Sequence, residues 1–178
     1  MIEGTGGFLQ PGLILDQLTI RDNIAIADFG CGHGYFSLPL AKRVSQGKVY
    51  ALDVLEEALQ AVKSRAEIEK VSNIETIRAN LEVVGGSKLD DQSIDLVVLA
   101  NILFQSQKKE EILKEAKRAL KKNGQLVIID WLAGSSLAPK EGWFISKEEA
   151  SQLAEDQGLS LVKELAVDKQ HYGILFKK

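Results

Sequence analysis

Short apolar runs alternate with longer stretches of helical period along most of this chain. The runs are 24–28, Lys48–Asp53, Ile74–Arg78, Ile94–Ala100 and 125–131, several of them rich in Val and Ile and flanked by Gly, Asn, Asp or Ser. Strands buried on both faces of a parallel sheet read this way. Between them Leu55, Ala58, Leu59, Val62 and Ala66 recur at spacings of three and four, as do Ile112, Ala116, Ala119 and Leu120, so both segments are expected to be amphipathic helices. Lys121 and Lys122 put cations in the second helix's last turn, and Asn123-Gly124 offers a left-handed cap there. Ser146 and Glu149 have capping-box spacing, which predicts a helix over 147–157 ended by Gly158.

The tail has a different period. Leu161, Lys163, Leu165 and Val167 alternate apolar with polar, and an apolar run over 172–176 follows after only 168–171. A connection that short cannot carry a parallel crossover, so the last two strands are expected to be antiparallel. The whole pattern predicts a single α/β domain over 1–178, a doubly wound sheet with an antiparallel final strand. Two stretches look loose. One runs through Gly12, with four of the fifteen glycines and Pro11. The other is 132–146, with Gly134, the adjacent Ser135 and Ser136, Pro139 and Gly142. The first, within 1–23, is expected to be a lid or helical segment, and the second a substrate loop. Phe8 and Trp143 either pin these segments to the body or close over substrate.

Composition narrows the class. At 178 residues, 45% apolar and 26% charged, the chain has the balance of an ordinary globular domain with a sizeable core. Twenty-two Lys+Arg against 25 Asp+Glu give a net charge of -3, which disfavours a generally basic nucleic-acid binder. The single cysteine, Cys31, can form no internal disulfide, and no Cys/His cluster for a metal site is visible. A reducing cytoplasm is the simplest compartment. The opening residues show no basic stretch followed by an apolar run, and nothing approaches the roughly 18 apolar residues of a membrane span.

The sharpest segment follows the first apolar run: Asp28-Phe-Gly30-Cys31-Gly32-His33-Gly34, an acid and three glycines at alternate positions leading into a helix that passes Leu38, Leu40 and Val44. Such glycines let the chain turn tightly and let a ligand lie against bare main chain. The dinucleotide fingerprint G-x-G-x-x-G would need glycine at position 35, where Tyr35 stands. A carboxylate about 6 Å from a pyrophosphate charge would also cost on the order of 3 kcal/mol at an effective dielectric near 20. An acid at this strand end favours a ligand bearing an ammonium or sulfonium group.

The D-x-G-x-G-x-G motif resembles the signature of class I S-adenosylmethionine-dependent methyltransferases, and further landmarks follow it. Asp53, 23 residues beyond Gly30, ends the second strand; Asn80-Leu81 stands where the family usually has Asp after the third; Asn101 follows the fourth. The likeness runs from about residue 24 to the end and is nearest the ubiquinone/menaquinone-type and other small-molecule methyltransferases. It implies a Rossmann-like seven-stranded sheet of order 3-2-1-4-5-7-6 with strand 7 antiparallel, and S-adenosylmethionine as cofactor. The cofactor-binding roles it implies fall on Asp28, Gly30, Cys31, Gly32, Gly34 and Asp53, with Val54, Asn80, Leu81 and Asn101 beside them. Cys31 by itself reads as a small residue filling the turn, and Asp53 with Glu56 also has capping-box spacing.

Methyl transfer is an in-line displacement, so a base is needed only where the acceptor must lose a proton. Asp130 ends the fifth strand, and the family's strand order brings the start of the last strand beside it. His171 and Tyr172 are therefore expected to approach Asp130, with a His171–Asp130 pair serving as general base; the alternative is a turn-capping His171 and a packing Tyr172. The N-P-P-Y tetrad of amino-group methyltransferases is replaced by Ala100-Asn101-Ile102-Leu103, and the lone cysteine argues against arsenite. A small-molecule acceptor leads. A methyltransferase acting on RNA or protein, and a non-catalytic S-adenosylmethionine-binding protein, stay open.

Overall fold

The computed structural model describes residues 9–178, so Phe8 and the seven residues before it lie outside it. Seven strands form one sheet in the order β3-β2-β1-β4-β5-β7-β6. They are β1 (Ala25–Phe29), β2 (Lys48–Asp53), β3 (Ile74–Arg78), β4 (Ile94–Ala100), β5 (Leu120–Trp131), β6 (Ser160–Glu164) and β7 (His171–Lys177). The first five run parallel, and β7 runs antiparallel between β5 and β6. The expected order and the reversed last strand are both present.

Helices cover both faces, as the two-sided burial of the central strands requires. Helices α2 (Ser37–Arg43) and α3 (Glu56–Ile68) pack together on one face, joined by the short α1 (Pro11–Leu15); α4 (Lys109–Ala119) and α5 (Lys147–Asp156) take the other. Pro11 starts α1 at a position that needs no amide hydrogen. Ile14, Leu15 and Leu18 are buried, so this part of the N-terminal segment covers the core. The capping box at Ser146 is formed in both directions, and Gly158 ends α5 at φ +78°.

Two local expectations are corrected. Helix α4 stops at Ala119, with Lys117 and Arg118 in its last turn. Leu120 already pairs with Ile94, the register then jumps to Leu96–Gln125, and residues 121–124 form the irregularity between. The left-handed Asn123 (φ +67°) therefore turns inside β5 and does not cap the helix. The Asp53–Glu56 capping box is absent as well: α3 is flanked by Leu55, and no side chain caps it.

Candidate functional site: two cavities along one sheet edge

The carboxyl ends of β1, β2, β4 and β5 share one edge with the amino end of antiparallel β7. Open α/β sheets take their ligands there. At β1 the chain leaves the sheet through Gly30 (φ +75°), whose N–H, with that of Cys31, donates to the Leu52 carbonyl. A Cβ on Gly30 would stand 2.5 Å from the Ile102 side chain. Gly32 differs. It is left-handed (φ +49°), and a Cβ there would meet nothing within 4 Å, so its bare main chain faces open space.

Asp53 holds that turn in place. One carboxylate oxygen accepts the Gly32 N–H at 2.9 Å, and the other accepts the Leu55 N–H at 3.0 Å. The acid is thus committed to shaping the glycine turn from the neighbouring strand. The cavity above measures about 610 Å³; Gly30, Gly32, Asp53, Val54, Asn80 and Leu81 line it. His33, Gln105 and Ser106 do so too. Its lining carries three carboxylates, Asp53, Glu57 and Glu82, and among the described residues no Lys or Arg. Asn80 Oδ1 accepts the Glu82 N–H at 3.0 Å, which shapes the turn after β3.

Not every expected cofactor residue reaches this lining. Asp28 lies beneath the loop, 2% exposed, with the Ser37 hydroxyl donating to it at 2.5 Å. Burial pushes its carboxyl up to about 6, partly offset by Ser37, while the charge of Asp53 adds to the rise. Cys31 and Gly34 are buried in the turn, and burial pushes the Cys31 thiol well up. Asn101, left-handed at φ +56° after β4, buries an Oδ1 that has no hydrogen-bond partner among the described residues.

The expected His171–Asp130 pair is not formed. β7 sets Tyr172 opposite Asp130 and His171 opposite Trp131. Successive side chains of a strand point to opposite faces, so His171 and Asp130 lie on different sides of the sheet. Asp130 instead accepts the Leu103 and Phe104 N–H groups at 3.0 and 3.2 Å, and that of Trp131 at 2.8 Å. It pins the turn after β4 that carries Ile102 and Gln105. Burial pushes its carboxyl up to about 6, with these three N–H groups pulling back.

The partner of His171 is Asp168, which the sequence reading passed over. His171 Nδ1 lies 2.8 Å from Asp168 Oδ1, which also accepts the Gln170 and His171 N–H groups. The two side chains are 2% and 3% exposed. The Trp131 ring covers the imidazole at 3.9 Å between centroids. Both residues border a second cavity, of about 450 Å³, with Tyr172, Ile145 and Leu165. Burial lowers the affinity of His171 for a second proton although Asp168 opposes this, and burial raises the Tyr172 phenol well above its usual range. In the segment 132–146, Phe144 stacks on Phe104, while the Trp143 side chain is exposed.

This sheet order, with the reversed β7 and the glycine turn at the ligand edge, defines a Rossmann-like α/β fold. Residues 20–176 match a family model described as a methyltransferase domain, and the chain belongs to that family, a class I S-adenosylmethionine-dependent methyltransferase domain. A solved S-adenosylmethionine-dependent methyltransferase from Aquifex aeolicus superposes with a TM-score of 0.85 at 25% identity, covering 95% of this chain and 89% of that one. A demethylmenaquinone methyltransferase of Lactococcus lactis is 28% identical over 165 residues, 87% of this chain and 64% of its own length. A 23S rRNA (uracil-C5)-methyltransferase of Aliivibrio fischeri is 40% identical over 68 residues, 38% of this chain and 15% of its own. The chain therefore spans less than two thirds of these curated relatives.

Proposed function

We propose that this domain transfers a methyl group from S-adenosylmethionine to a small-molecule acceptor. The observation that carries the cofactor assignment is the charge and shape of the first cavity: open main chain at Gly32, three carboxylates around it and no cation in its described lining. A polyphosphate would meet only like charge there, whereas a sulfonium is favoured. The cofactor brings a methyl group already activated on positively charged sulfur. The protein's part is to bind, orient and exclude water.

In this reading Gly30 and Gly32 give the methionyl portion a bare surface, and Asp53 accepts the ribose hydroxyls with its remaining lone pairs. Val54 and Leu81 flank the base, whose polar edge meets Asn80. Asn101 offers its buried Oδ1 to the ammonium group. Asp130 acts by position, through the turn it pins. Asp28, Cys31 and Gly34 support the loop from below. The acceptor class rests on the Lactococcus relative, whose similarity spans most of this chain, and on the surface of α4. Two of the four cations there are paired with acids, Lys114 with Glu110 and Arg118 with Glu115 and Asp91, which weakens a basic track for RNA.

The test is calorimetry with S-adenosylhomocysteine and NADH in parallel. Saturable binding of the first and none of the second is expected; NADH binding in its place would remove the assignment.

A further inference from the structure

The crossovers of the sheet differ in one place. α2 carries the chain from β1 to β2, α3 from β2 to β3 and α4 from β4 to β5, while residues 79–93, from β3 to β4, contain neither helix nor strand. A stretch of that length without regular structure is uncommon in a compact domain, and its position depends on what its side chains and amides meet. It matters to the site, because Ala79, Asn80, Leu81 and Glu82 at its start line the first cavity.

Two sets of contacts hold it, both from the chain around α4. Further along the stretch, Glu115 accepts the Gly85 and Ser87 N–H groups and Arg118 donates to the Leu89 carbonyl. At the cavity, the hydroxyl of Ser106, just ahead of α4, donates to Glu82 Oε1 at 2.6 Å. In the sheet β3 and β4 stand three strand steps apart, about 14 Å, with β2 and β1 between them. The Ser106–Glu82 bond therefore joins cavity lining from either side of the strands that carry Asp53 and the glycine turn.

The direction of the bond is fixed at both ends. Ser106 Oγ also accepts the Lys108 N–H at 2.9 Å, and its one hydrogen goes to Glu82. Glu82 gives its own N–H to Asn80 Oδ1 at 3.0 Å. One unbroken chain of hydrogen bonds thus runs from the start of α4 through Ser106 and Glu82 to Asn80, the side chain assigned to the polar edge of the base. Ser106 is 4% exposed, so its bond is sheltered from water, and a bond to a carboxylate is among the stronger ones. Lys108 Nζ stands 3.8 Å from Glu82 Oε2, with both side chains well exposed, and such a pair adds little.

We infer that Glu82 is a positioning residue for the cofactor: locked by Ser106, it sets the base-side wall of the first cavity, and it acts through the bond it accepts and not through its charge. The inference rests on the methyl-transfer reading and adds to it a residue outside the glycine turn and Asp53. Glu115 and Arg118 keep the rest of the stretch in place, and the Ser106–Glu82 bond alone reaches the cavity.

S-adenosylhomocysteine is the probe, titrated calorimetrically into parent and variants. Its sulfur is uncharged, so removing a carboxylate is not read as lost attraction for a sulfonium. Glu82→Ala and Ser106→Ala are each expected to weaken binding about tenfold, about 1.4 kcal/mol. The double variant is expected to lose no more than about twentyfold, because both changes remove the same bond. Glu82→Gln keeps an oxygen for the Ser106 hydroxyl and is expected within about threefold of the parent. A loss below about threefold in Glu82→Ala, a Glu82→Gln as weak as Glu82→Ala, or a double variant weaker than twentyfold overturns the positioning role. Urea unfolding is measured beside each titration. Should Ser106→Ala, which also strips the Lys108 N–H of its acceptor, lower the folded fraction, the comparison of Gln with Ala at position 82 still decides. Absence of binding by the parent overturns the methyl-transfer reading itself, so the two failures appear in different titrations.

Discussion

The two cavities lie along one sheet edge, yet they are built from different material. The first is made of main chain: Gly32 offers no side chain, and Asp53 works mostly by holding backbone N–H groups. The second is made of side chains from β5, β7 and the turn before β7, with buried polar tips at its wall. A main-chain site suits a ligand that does not change, because few substitutions alter its shape. A side-chain site can be re-cut one residue at a time. One fold can keep a site of the first kind and vary a site of the second.

The comparison breaks most visibly at Gly32. Gly32→Val should weaken cofactor binding by more than about a hundredfold in calorimetry, since it fills the open main chain at a left-handed φ. The circular dichroism spectrum and the His171 nitrogen signals should be unchanged; loss of the latter would mean that the cavities are not separable. Asp130→Ala comes next. It orphans three backbone N–H groups, two of them in the turn after β4, and should cost about 3 kcal/mol in urea unfolding. An effect near zero would deny that Asp130 holds the turn that carries Ile102 and Gln105 to the first cavity.

Asp28 sharpens the comparison through pH. Its carboxyl titrates near 6 in the fold against an ordinary 3.8, so between those values the native state holds a proton that the unfolded chain releases. Stability from this source is complete below about pH 4 and is lost as pH rises through about 6. Asp28→Asn should flatten that decline, by up to roughly 3 kcal/mol between the two limits, in urea melts at several pH values. A parallel slope in mutant and parent would remove the buried acid from the account. The smallest effect is expected for Asp53→Ala, a loss of cofactor affinity of somewhat more than tenfold, about 1.4 kcal/mol. A change below twofold would reduce Asp53 to a turn-former.

How far the sequence revealed these two regions follows from how each is made. The glycine turn depends on residues a few positions apart, so its spacing is visible in one dimension, and Asp53 is placed by the end of the next strand. The doubly wound class and the reversed last strand needed only the alternation of apolar runs and the short link before β7, while the strand order is what the family resemblance implies. The second cavity depends on register, which no local spacing fixes. A one-residue shift in pairing moves His171 to the other face, so the adjacency of β5 and β7 was enough to suggest Asp130 as its partner but not to test it. The signal that could have found Asp168 was local: an Asp three residues before a His in a tight link can accept the intervening N–H groups and meet the ring. The Glu115–Arg118 pair also escaped the sequence reading, because its meaning comes from the loop it grips. Glu115 is fully buried and accepts from Gly85, Ser87 and Arg118, and these bonds overcome the effect of burial to bring its carboxyl down to about 2.

One small feature ties the stretch after α1 to the end of β6 and the link that follows it. The Gln17 amide donates to the Ala166 carbonyl at 2.7 Å and accepts the Ala166 N–H at 2.8 Å, as a strand residue would, while Lys163 donates to the Gln17 carbonyl. Mechanically this is a rivet. It fastens the stretch after α1 to the link that leads from β6 to Asp168, so the chain entering that link is held at both its flanks.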